Sequence, residues 1–252
     1  LQAKSGYVRK SVEKGLWEMR VGEMKLAVKT FLKLIEFSPV TTAAHRGYIQ
    51  SQSALKKIAQ GVAFYKARAA GTPKSAVVHY AQGLAYSYLE PPDLGAAEME
   101  VGEALVLDSQ DVYFHQTLGW LYEQKERAKK NEGYLERALQ EYQVALALND
   151  DQIDPDNRTN LLLNLGNGHY LLKNYLPAYH YYRERSRGKI GLTDENREAI
   201  YYQRFGESAF KSGFSSEAVE LYKKALKLVT EKKDPKRIAE LNDRIALAYQ
   251  DG

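Results

Sequence analysis

The residues best equipped for chemistry are five histidines, His45, His79, His115, His169 and His180, and 32 Asp and Glu side chains. Two imidazoles that hold one metal ion from a single helix face sit about four residues apart. No pair of these histidines has that spacing. They read as structural or surface groups, and no metal site is expected. The chain has no cysteine, which excludes disulfides, thiolate metal sites and cysteine nucleophiles and leaves the compartment open. Carboxylates are abundant, but no pattern isolates two of them in a cleft for acid–base work. The stretch "GTPKS" at 71–75 ends like a phosphate loop. It lacks the spaced first glycine and the Gly-Lys pair, so it reads as a helix-to-helix turn. "GNG" at 166–168 falls inside a helical pattern and cannot cradle phosphate there. "NRT" at 157–159 is a glycosylation sequon that matters only in a secreted chain, and it reads as a chance occurrence. These residues predict a protein that is not an enzyme and uses no cofactor.

The elements that carry these residues are expected to be helical throughout. The chain has 252 residues, 44% hydrophobic and 27% charged, as ordinary folded proteins have. No apolar run approaches the roughly 18 residues that span a bilayer, and no signal-peptide pattern is present. The first residue is Leu1, so a fragment or processed form of a longer chain is expected. Charge is unevenly spread. Residues 1–75 carry 14 Lys/Arg against 4 Asp/Glu, residues 76–126 carry 1 against 9, and residues 127–252 carry 21 against 19. A basic end beside an acidic middle can steer partners; the plainer reading is that helices expose charge on their solvent faces.

Internal repetition organises the rest. In "NLGNGHYLLKNYLPAYHYYRER", Gly166 is followed by Ala178 and Tyr182. In "RFGESAFKSGFSSEAVELYKKAL", Gly206, Ala218 and Tyr222 repeat the pattern 40 residues on. Gly119, Ala138, Tyr142 and Ala145 give a longer version, with extra charged residues and a turn near 131–133. Ala85, Ala97 and Ala104 mark a copy with its turn at Pro91 and Pro92, and Gly15, Ala27 and Phe31 mark another with its turn at Gly22. The segment between these two copies must hold a further hairpin, with Gly47 as its small residue. Apolar residues recur three or four apart in each half, the period of an amphipathic helix. The pattern predicts thirteen helices, as six antiparallel pairs and one last helix at 234–250. Asp154-Pro155 and Asp234-Pro235 are helix starts. One hairpin cannot bury its apolar faces alone, so the copies must stack.

These copies resemble tetratricopeptide repeats (TPRs). Leu165-Gly166-Asn167 and the 40-residue spacing look most like the repeats of kinesin light chains and Leu-Gly-Asn-repeat spindle scaffolds. The match is strong over 110–252, moderate over 11–39 and 77–109, and weak over 41–73. The resemblance implies an all-α, right-handed α-solenoid of about six repeats plus a terminal helix. It makes 1–252 a single domain, with basic irregular repeats at 1–75, an intermediate repeat at 76–109 and regular repeats at 110–252. It also implies that the first helix of each pair lines a groove for peptides or helices of other proteins. On that architecture His79, Tyr86, Tyr113 and Trp120 form an aromatic stretch of the groove. Asn160, Asn164, Asn167, Gln203 and Arg204 form a polar wall beside it. Tyr122, Tyr142, Tyr182, Tyr222 and Tyr249 occupy packing positions. Asn164, Asn167 and Arg204 match three positions of the clamp that holds a C-terminal carboxylate in some family members. Leu163 and Glu240 stand where lysines are needed, so that clamp is incomplete.

A non-catalytic protein- or peptide-binding module is the expected function. The rival expectations are an assembly scaffold and a regulatory docking domain of a larger enzyme. Nucleic acid is a distant candidate: Tyr48, Phe64 and Tyr65 are interleaved with the basic residues of 1–75, but no recognised motif accompanies them. The last helix should bury Ile238, Leu241, Ile245 and Ala248. Leu247 and Tyr249 widen its apolar surface and point to self-association or a further helix.

Overall fold

The computed structural model describes residues 2–129, 132–149, 157–188, 194–231 and 234–251. They form thirteen α-helices and no strand. Two compact units divide the chain, Leu1–Asp154 and Pro155–Gly252. The first contains α1 (Gln2–Arg20), α2 (Met24–Phe37), α3 (Thr42–Ala54), α4 (Ile58–Gly71), α5 (Ala76–Ser87), α6 (Leu94–Leu107), α7 (Val112–Ala128) and α8 (Tyr134–Leu148). The second contains α9 (Asn157–Leu171), α10 (Tyr175–Ser186), α11 (Glu195–Lys211), α12 (Ser215–Glu231) and α13 (Pro235–Gln250).

Helix limits follow local chemistry. Asp93, Asp111, Asp194 and Asp234 each cap a helix by accepting hydrogen bonds from backbone N–H groups of its first turn. Pro235 then opens α13 without wasting a donor. The start expected at Asp154-Pro155 lies outside the described residues, as does Asn131 of the expected turn. Gly213 closes α11 at φ +84°, and Lys173, forty residues earlier, adopts +61° at the end of α9.

In the second unit the glycine–aromatic skeleton is a steric fit. A Cβ on Gly166 would lie 2.6 Å from the Tyr182 ring, and one on Gly206 would lie 2.8 Å from the Tyr222 ring. The missing side chain lets the first helix of each pair rest on the ring of the second. Tyr182 then meets Tyr201 and Phe205 of the next pair. Leu241 and Ala248 seat α13 on this core, with Ile238 and Ile245 packed beside them. Tyr249 departs from expectation: it is 61% exposed, with Lys223 over its ring.

The first unit uses the same device with variations. Gly119 rests on Tyr142, while Gly15 and Gly47 both press on the single ring of Phe31. In the third pair the close approach belongs to Gly83, where a Cβ would meet Ala97 O and Val101 Cγ2 at 2.8 Å. Ala85 is not the small residue of that pair, so the register read from sequence was two residues out.

A second recurring device is a histidine brace. His45, His79 and His115 each stand four residues beyond the cap of α3, α5 and α7. Each Nε2 meets a carbonyl of the preceding turn, on Pro39, Pro73 and Ser109, at 2.8, 3.0 and 3.1 Å. Each Nδ1 meets the second helix of its own pair. For His45 the partner is the Tyr65 hydroxyl at 2.8 Å, which can donate, so a neutral imidazole satisfies both sides. Burial holds its pKa down, from 6.5 to about 4. For His79 and His115 the partners are Glu100 at 2.7 Å and Glu141 at 2.6 Å, so both ring nitrogens face acceptors and the imidazolium fits. Burial opposes the charge on His79, and the bonds to Glu100 and Pro73 outweigh it, raising the pKa. The Glu141 bond raises that of His115 against burial.

Two predictions follow from packing and protonation. Gly166→Ala should destabilise by about 1–3 kcal/mol, as overpacking does. Gly102→Ala, inside α6 with nothing near its absent Cβ, should stabilise by about 0.5–1 kcal/mol. Denaturant titration separates them, and equal effects would refute the steric account. His115 has a raised folded pKa, so its contribution is full below about pH 6.5 and fades as pH rises through that pKa. The lowered pKa of His45 works oppositely, with stability lost as pH falls from 6.5 towards about 4. Melting curves of His115→Gln and His45→Gln across pH should therefore converge on wild type at opposite ends. Parallel curves would contradict the assigned protonation states.

Candidate functional site

In the second unit α9 presents Asn160, Asn164 and Asn167, spaced four and three apart and so on one face. Gln203 and Arg204 lie on α11. Asn167 Oδ1 accepts from Arg204 Nη1 at 2.8 Å and from the Tyr182 hydroxyl at 2.9 Å. The Arg204 guanidinium lies 5.3 Å from the centroid of Tyr170. The Tyr170 hydroxyl donates to Glu207 Oε2 at 2.7 Å, and Arg244 Nη1 of α13 donates to the same oxygen at 2.7 Å. A forty-residue step relates Arg204 to Arg244 and Asn167 to Glu207. The ladder therefore ties α9 to α11 and α11 to α13 by the same move, an arginine reaching back 37 residues.

This network fixes the geometry of the face and leaves part of its capacity open. Asn160 is exposed, and Asn164 and Gln203 are half-buried. None of the three has a hydrogen-bond partner among the described residues. Each carboxamide offers two donors and one acceptor oxygen, enough to pair both edges of a peptide group. Asn167 and Arg204 are partly spent on each other. Leu163 is buried in the core, so the position expected to hold a clamp lysine belongs to packing.

In the first unit the four aromatic candidates separate. Trp120 is half-buried and stacks on Tyr88, with ring centroids 6.1 Å apart. Tyr86 is half-buried, accepts from Gln82 Nε2 at 3.2 Å and has Lys66 over its ring. His79 is a brace, held on both ring nitrogens. Tyr113 is only 5% exposed, with Arg46 covering its ring, so the expectation of a displayed aromatic fails there. It fails because the start of α7 packs into the core shared with α3 and α5. The aromatics considered for stacking on bases are also spoken for: Tyr48 and Tyr65 are buried, and Arg68 lies over Phe64. Asn157 of the sequon is 1% exposed within α9 and out of reach of glycosylation in this fold.

One feature had no sequence signal. A cavity of about 390 Å³ in the second unit is walled by Arg185, Tyr201, Tyr202, Glu217 and Lys224. Its cations are already engaged: Arg185 lies 4.2 Å from the centroid of Tyr201, and Lys224 lies over Tyr202. Among the described residues no group of three or more His, Asp and Glu side chains is placed to hold a metal ion.

No family model matches the chain, and no curated protein sequence does. Solved structures do resemble it. The Cut9–Hcn1 hetero-tetramer of the APC/C aligns over 96% of this chain and 42% of that one, with 16% identity and a TM-score of 0.61. This chain therefore spans less than half of that neighbour. MamA aligns over 72% of this chain and 94% of its own, with 19% identity and a TM-score of 0.55. YrrB, described as a TPR protein with an unusual peptide-binding site, aligns over 84% of this chain and 97% of its own, with 17% identity and a TM-score of 0.55. At these identities the likeness concerns the fold alone: antiparallel α-helix pairs built on glycine–aromatic contacts, similar to those of the solved TPR protein YrrB.

Proposed function

We propose that the chain is a non-catalytic protein-binding module that holds an extended peptide or a helix of a partner. The binding face in the second unit is Asn160, Asn164, Asn167, Gln203 and Arg204. In the first unit, taken by itself, Tyr86 and Trp120 are a separate half-buried aromatic pair of candidates, and His79 is held as a brace. One observation carries this reading: the carboxamides of Asn164 and Gln203 stand unpaired beside a hydrogen-bonded ladder that holds their helices in register. A rigid, polar, partly unsatisfied surface suits a backbone ligand, because little order is lost on binding. We extend the reading to 1–252 as one repeat array, which the alignment of Cut9–Hcn1 over 96% of the chain supports.

A second reading, a scaffold subunit that self-associates, draws on Leu247 and Tyr249. Both are more than half exposed on α13, beyond the stripe that seats the helix.

Peptide-display selection with the whole chain as bait tests the first reading. Asn164→Ala and Gln203→Ala should shift stability by no more than about 0.5 kcal/mol, as surface changes do. They should weaken the selected peptides by about 2 kcal/mol or more if these are central contacts. Peptides that bind both variants as well as wild type would rule out this face. Sedimentation equilibrium tests the second reading: Leu247→Lys should dissociate an oligomer, and a wild-type chain that stays monomeric at high concentration removes the case for self-association.

A further inference from the structure

The first hairpin displays a surface that peptide binding does not use. At 3.6 residues per turn, Tyr7, Lys10, Lys14 and Trp17 fall within about 80° of the circumference of α1, and Val21 follows in the turn just past its end. On α2, Leu26, Lys29, Lys33 and Phe37 fall within about 80° as well. All nine side chains are exposed, Trp17 at 59%. The two stripes face the same way. Tyr7 and Phe37 touch edge-on at 4.7 Å between centroids, and at the other end a turn of three residues joins α1 to α2. The core-facing residues, Val12 on α1 and Ala27, Phe31 and Ile35 on α2, lie on the opposite sides of their helices.

The result is a two-helix face with aromatic and aliphatic groups at both ends and lysines between. Neither stripe contains an acidic residue. Glu18, beside the α1 stripe, is turned inward, buried and within 3.8 Å of Lys14, while Glu13, drawn towards Arg9, and Glu36 are exposed just outside the stripes. Repeat stacking does not account for such a face, since the stacked faces in this chain are built from Ala, Leu, Tyr and Phe. Four lysines call for an anionic partner. The exposed Trp, Tyr and Phe call for one that also accepts apolar groups at shallow depth. A bilayer with anionic headgroups offers both. Aromatic rings favour the headgroup level, and lysine stems lie along apolar surface while their ammonium groups reach phosphate. Two adjacent helices also make a broad, even platform that needs no groove in the partner.

We propose that the α1–α2 face docks the chain peripherally on an anionic lipid surface. No described helix is long and apolar enough to cross a membrane, so the contact is surface adsorption. The face shares no residue with those proposed above for peptide binding.

Vesicle co-sedimentation tests this with the intact chain, using phosphatidylcholine alone and phosphatidylcholine mixed with phosphatidylglycerol. Binding is expected only to the mixed vesicles and should weaken as salt is raised. Each lysine removed should lower partitioning about fivefold, so Lys10→Gln/Lys14→Gln/Lys33→Gln should lose on the order of a hundredfold. Circular dichroism checks that the variant keeps its helices. Trp17 gives a second readout: its emission should shift to the blue on binding, and Trp17→Phe should abolish that shift while most of the binding persists. Failure to bind the mixed vesicles overturns the proposal, as does binding that survives the triple substitution. Binding to soluble polyglutamate with no affinity for vesicles would also overturn it and would identify an acidic protein as the partner.

Discussion

An aromatic ring lying on a glycine sets the distance between the helices of a pair, and much else follows from that distance. The Tyr142, Tyr182 and Tyr222 rings rest where Gly119, Gly166 and Gly206 have no side chain. The contact fills the space inside a pair and presents the ring edge to the next one, as Tyr182 does to Tyr201 and Phe205. In that pair one contact thus fixes both the hairpin and its stacking. The first pairs show how far the device can vary: one Phe31 ring serves Gly15 and Gly47 together, so the first two pairs share a single contact.

Fixed helix spacing makes the polar ladder possible. Arginine can reach a residue 37 positions back only if successive first helices sit side by side at a constant separation. Arg204 to Asn167 and Arg244 to Glu207 span that separation with hydrogen bonds of 2.8 and 2.7 Å. The first unit adds charge-assisted bonds inside its pairs. His79 with Glu100 and His115 with Glu141 join the two helices of one pair. Each unit also uses the other kind of link: Lys125 of α7 pairs with Glu98 of α6 between neighbouring hairpins of the first unit, and Arg158 of α9 pairs with Glu184 of α10 inside one hairpin of the second.

Much of this was legible in the sequence. Helix number, pairing and most turns came from the 3.6-residue period and the small-residue spacing, which record backbone geometry directly. The inward stripe of α13 was legible for the same reason. What escaped depended on side chains meeting across elements. Gly83, not Ala85, makes the close approach in the third pair, and two small residues in one helix turn look alike until the opposing Ala97 carbonyl is in place. Tyr113 read as a displayed aromatic, but its burial depends on α3 and α5 packing around the start of α7. The histidine braces were invisible because their partners lie 20 to 26 residues away and differ in type, one Tyr and two Glu. For the candidate face, the sequence supplied the residues and the structure showed which are already spent.

That distinction narrows what the polar face can hold. Asn167 gives its oxygen to Arg204 and Tyr182, and Arg204 gives one nitrogen to Asn167. A ligand that took both would have to break bonds already made, and net gain from exchanging one hydrogen bond for another is only about 1 kcal/mol. Asn164 and Gln203 carry no such penalty. They lie on α9 and α11, the two helices that the Asn167–Arg204 bond joins, so a backbone group held by both carboxamides would strengthen an existing link between hairpins. On the proposed function, binding and stacking are reciprocally coupled: a peptide held there would stabilise the spacing of α9 and α11, and loosening that spacing would weaken its hold.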